Sequence, residues 1–112
     1  MNSTELYSNL LNSLSDLRNF MMSDTWIDAV TGSTTNVQKQ AFNAAFDVQH
    51  AINVLSNQIL SDIADDMAAQ DDAIQNATQK MEASINTFST VNKTLGTITK
   101  LLAVVGQIVS LV

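Results

Sequence analysis

From Met67 to the last residue, apolar side chains recur every seven positions. Met67, Ile74, Met81, Phe88, Leu95, Leu102 and Val109 mark one position of the repeat. Ala77, Val91, Ile98, Val105 and Val112 mark the position three residues later, with Gln70 and Ser84 as polar exceptions. A stripe with this spacing suits a helix that buries one narrow seam against other helices. It ends in a run without charge, Leu101 to Val112. A helix carrying so apolar an end needs a cover, from its own chain or from a partner.

Breakers are scarce. The chain has no proline and three glycines, Gly32, Gly96 and Gly106, so long helices are permitted and tight turns are few. In the N-terminal third, Leu6, Leu10, Leu14, Leu17 and Met21 line one face, flanked by Tyr7, Leu11 and Phe20. Asn2 or Ser3 caps that helix, and Glu5 meets its dipole. Trp26, Ile27 and Val30 either extend it past Asp24 or form a separate short turn capped there. Thr31 to Asn36 reads as the clearest loop, being small, polar and centred on glycine. A second seam follows: Val37, Ala41, Ala45, Val48, Ile52, Leu55, Ile59 and Ile63, with Phe42 and Phe46 widening the stripe.

The frame slips between Ile59 and Met67, inside the acidic stretch Asp62 to Asp72. Either the helix ends near Ala69 and Asp71 or Asp72 caps a third one, or one helix runs on through a stutter. Unbroken, it would be ~110 Å long at ~1.5 Å per residue, so the break is preferred. The expected fold is all-α. It is an antiparallel three-helix bundle or a long helical hairpin, with coiled-coil-like packing and an apolar C-terminal helix. Residues 1–112 form one domain: helix 3–30, loop 31–36, helix 37–69 and helix 72–111.

Composition narrows the function. Charged residues are 14% of the chain, so the polar surface is mostly Ser, Thr, Asn and Gln. These are middling helix formers, and such helices depend on packing. The net charge is −6 and the five basic residues stand singly; nucleic acid is therefore not an expected partner. No cysteine is present, which removes thiol chemistry and Cys-based zinc sites. The N-terminus lacks the pattern of a cleavable signal peptide, so secretion by a route that needs none is the expectation, with a cytoplasmic location as the alternative.

Among the motifs weighed, Asp62, Asp65 and Asp66 share a helix face, but their spacing is that of a solvated helix end rather than a calcium loop. His50, the only histidine, has no converging nucleophile and carboxylate. No catalytic, cofactor or metal residues are assigned. Two functional classes remain. The first is a non-enzymatic interaction protein that self-assembles, or packs its C-terminal helix on a helical partner. The second is a membrane-active protein inserting Leu95 to Val112. For both, the contact residues expected are Trp26, Leu95, Ile98, Leu102, Val105, Ile108, Val109 and Val112. In composition the chain is similar to exported bacterial assembly proteins of the flagellin-like, needle or translocator kind. Those too are acidic, cysteine-free and rich in Ser, Thr, Asn, Gln and Ala, with apolar C-terminal helices.

Overall fold

Six helices and no strand make up the computed structural model, which describes residues 1–111. They are α1 (Ser3–Met21), α2 (Asp24–Thr31), α3 (Thr35–Ser56), α4 (Leu60–Ala69), α5 (Asp71–Asn86) and α6 (Val91–Gly106). Each helix expected from the sequence is thus divided in two. The joints are Met22–Ser23, Asn57–Ile59 and Thr87–Thr90. None contains glycine or proline, so breaker residues gave no warning of them.

Short polar side chains make most of these joints. Ser23 caps α2 by accepting from the Trp26 amide at 3.4 Å, so Ser23, not Asp24, is the cap of that helix. Thr90 caps α6 by accepting from the Lys93 amide at 3.2 Å. Asn2 and Thr34 do the same for α1 and α3. Each satisfies an amide that a helix start leaves without a partner. The loop after α2 is shorter than expected, since Thr34 already caps α3. The α4–α5 break falls at Gln70, next to the expected helix end at Ala69 and within the acidic stretch, but neither Asp71 nor Asp72 is the cap. Gln70 holds the cap position without a side-chain bond. Asp71 sits inside the first turn, where its carboxylate accepts from Gln75 and meets the chain's ammonium group at 3.4 Å.

Packing closes α1, α5, α6 and α3 into a ring in which each helix lies on the next. α4 covers α1, and α2 touches α1, α3 and α6. Leu6, Leu10, Leu14 and Leu17 of α1 are wholly buried at the centre. The seven-residue frame survives the joint in the C-terminal arm. Met67, Ile74 and Met81 are wholly buried, and Ala77, Val91, Ile98 and Val105 point inward beside them. The polar exception Ser84 is half-buried and donates to Thr97 at 3.2 Å, tying α5 to α6. Two further bonds fasten helix ends. Tyr7 donates to the Leu55 carbonyl at 2.9 Å and Ser3 to the Ala64 carbonyl at 3.1 Å. The first joins α1 to the end of α3, the second joins α1 to α4.

Candidate interaction surface

The C-terminal side chains expected to meet a partner are covered by their own chain. Leu95, Ile98, Val105, Ile108 and Val109 are buried, and Leu102 is half-buried against the same core. α3 and α5 supply most of the cover. Val112 lies outside the described residues. Among those residues, no helix is long and apolar enough to cross a membrane.

Trp26 is 3% exposed. Its ring stands 5.8 Å from Phe20 and 5.9 Å from Phe88, and Phe20 and Phe88 meet edge-on at 5.3 Å. These tilted geometries suit aromatic quadrupoles. The three rings come from the end of α1, from α2 and from the α5–α6 joint, so they tie the α1–α2 joint to the α5–α6 joint. Trp26 also forms part of the floor of a surface groove.

That groove runs between α2 and α3 with a volume of about 490 Å³. Met21, Trp26, Ile27 and Val30 line one side, and Ala41, Phe42 and Ala45 the other. Ile27 on its rim is 47% exposed. Beside it, α3 turns two phenylalanines to water: Phe42 is 76% exposed and Phe46 71%. This corrects the expected seam. Helix α3 buries Ala41, Val48, Ala51, Ile52 and Leu55, and that choice rotates Ala45, Phe42 and Phe46 off the core. The reason is steric. Small residues at Ala41, Ala44 and Ala51 let α3 approach its neighbours closely, and a phenylalanine in that seam would hold them apart.

A second cleft, about 480 Å³, lies between α1 and α5. Amide and hydroxyl side chains such as Asn9, Asn12, Ser13 and Thr78 line it, together with the Glu82 carboxyl and Ala83. Burial, and then the nearby Asp16 carboxyl, push the Glu82 carboxyl above the usual range; the neighbouring Ser13 hydroxyl acts weakly the other way. Ser13 is 2% exposed; its Oγ lies near enough to the Glu82 carboxyl to favour its charged form but outside hydrogen-bonding geometry with it or with any other group. Asp62, Asp65 and Asp66 are exposed along α4. Among the described residues, no three His, Cys, Asp or Glu side chains converge as a metal site would need. His50 is also exposed, its Nε2 lying 3.2 Å from the Leu111 carbonyl.

No family model, curated protein or solved structure matches the chain. The functional reading therefore rests on these surfaces.

Proposed function

We propose that this is a non-enzymatic helical interaction protein, which meets its partner through the α2–α3 groove and the aromatic face of α3. The six helices then behave as three bent arms, α1–α2, α3–α4 and α5–α6, of a coiled-coil-like bundle whose second arm carries the contact face. The observation that supports this reading is the exposure of Phe42 and Phe46 next to an open apolar groove.

Size sets the significance of this patch. A phenylalanine side chain offers roughly 200 Å², so the two leave about 300 Å² of aromatic surface in water. Ile27 and Ala45 extend it into the roughly 300–600 Å² of the largest apolar patch on a typical monomer, which is often functional. Covering about 300 Å² contributes about 7 kcal/mol at ~25 cal/mol/Å². Association costs roughly 4–15 kcal/mol, so these two rings alone hold a partner weakly and the groove must add to them. Membrane insertion of Leu95 to Val112 would instead require α6 to leave α3 and α5, exposing the core it now completes.

A photoreactive phenylalanine analogue at position 46 tests the reading in the producing cell. Light should join the chain to another polypeptide, while the same analogue at Asp65 on α4 joins it to none. Failure of position 46 to label any polypeptide would remove the basis of the proposal.

A further inference from the structure

The outer face of α3 is self-complementary. Lys39, Phe42, Phe46, Gln49 and Asn53 follow one another at spacings of three and four, aromatic in the middle and polar at both ends. This is the pattern of a short coiled-coil seam. Phe42 and Ala45 border the groove with α2, and Asn43 and Asp47 border the shallow cleft with α6. The seam between them faces water, and Gln49 and Asn53 are already ordered by a mutual bond at 3.0 Å.

We infer that this face binds α3 of a second copy of the chain, antiparallel, about a two-fold axis at the level of Ala44. The inference rests on the interaction reading above and names its partner. Around that axis Phe42 of each copy meets Phe46 of the other, so four exposed rings cover one another in one isologous contact. Lys39 of each copy falls within one helical turn of Asp47 of the other. A parallel pairing would instead set lysine on lysine and aspartate on aspartate.

Charge selects the same helix. The chain carries −6, and two copies repel wherever acidic surfaces meet. Helices α2 and α4 bear acids only, α1 and α5 bear more acids than bases, and α6 bears two lysines and no acid. Helix α3 alone is neutral, with one lysine and one aspartate. It is also the longest helix, ~33 Å at ~1.5 Å per residue. It therefore offers a ridge that is long against the molecule's 43 Å largest dimension. One helix pair and its flanks make a contact at the small end of specific interfaces, so the dimer forms and dissociates with concentration.

The absence of native cysteine makes the geometry directly testable. Cysteine at Asn43, next to the axis, should oxidise to a disulfide-linked dimer. Cysteine at Thr35 should not, because antiparallel pairing separates the two copies of that residue by ~27 Å at ~1.5 Å per residue, against the ~7 Å limit for bridging. In sedimentation equilibrium, Lys39→Glu or Asp47→Lys alone should weaken the dimer several-fold, and the two together should restore it. Phe42→Ser with Phe46→Ser should give a monomer. A wild-type chain that stays monomeric at millimolar concentration, or one that links through position 35 as readily as through 43, overturns the pairing. If the photoadduct from position 46 has a mass other than twice 12.1 kDa, the self-pairing is wrong and the interaction reading stands. If position 46 gives no adduct of any mass, the interaction reading falls.

Discussion

Two phenylalanines of the same chain should respond very unequally to truncation, and the contrast measures whether the α3 face is free. Phe88 is half-buried and meets Phe20 and Trp26 at 5.3 and 5.9 Å. A fully buried Phe→Ala change costs about 3–5 kcal/mol, and aromatic pairs contribute about 0.5–1.5 kcal/mol each. For a ring with part of its surface already in water, Phe88→Ala should therefore cost about 2–3 kcal/mol. Phe46 has 71% of its surface in water and lies off the core, so Phe46→Ser should change stability by less than about 0.5 kcal/mol. Serine and phenylalanine have similar helix propensities, which removes the backbone as a confounding contribution. With 112 residues and ~2.1 cal/mol/K per residue of unfolding entropy, each kcal/mol moves Tm by about 4 °C. Phe88→Ala should then lower Tm by about 10 °C, and Phe46→Ser by at most about 2 °C. Helical circular dichroism, followed on heating at low micromolar protein, reads both. Low concentration matters, because any self-pairing would stabilise the folded state by mass action and make the Phe46 effect depend on concentration. A larger loss for Phe46→Ser than for Phe88→Ala, under conditions where the chain is monomeric, would refute the assignment of α3's outer face.

Three other variants probe the helices and the polar cleft. Gly96 lies on the exposed side of α6, with open space where a Cβ would stand. Gly96→Ala should raise stability by about 1 kcal/mol, or about 4 °C in Tm. Ser13→Ala removes a buried hydroxyl that completes no hydrogen bond; urea denaturation should show about 1 kcal/mol of added stability. Glu82 has its folded-state pKa raised from 4.5 by burial and by Asp16. The folded chain therefore holds that proton more tightly than the unfolded one. The corresponding stability is present below the ordinary value of 4.5 and is lost as pH rises through the higher folded value. Glu82→Gln should flatten this dependence and leave the protein more stable than wild type at pH 7, as melting curves between pH 4 and 7 would record.

The inward faces of α1, α5 and α6 were legible because each is a periodic apolar stripe whose members have one way to escape water together. Leu6 to Met21 in α1 are buried as their spacing requires, and so is the C-terminal stripe from Ile74 to Val109 apart from the half-buried Phe88 and Leu102. The joints were less legible. Ser23 and Thr90 break helices by capping, and an isolated serine or threonine inside an apolar repeat resembles any other polar surface position until its neighbours fix the backbone. The frame slip and its acidic stretch pointed to the break near Ala69, and the α1–α2 break stood as one of two readings at Asp24, whereas the α3–α4 and α5–α6 joints carried no such signal.

Helix α3 marks the boundary between what the chain order and the packed molecule each decide. Its residues specify a helix with more apolar side chains than one face can bury. Their order alone therefore selects all-α structure, and the seven-residue frame selects the inward side of the C-terminal arm. Which side of α3 faces inward depends on how closely α1 and α6 approach it. Small residues win that contest, because tight contact over the length of a helix outweighs the burial of two large rings. The same packing covers Leu95 to Val109 with the chain's own helices. It thereby moves the exposed apolar surface from the end of the chain to Phe42 and Phe46, a placement that periodicity along the sequence does not determine.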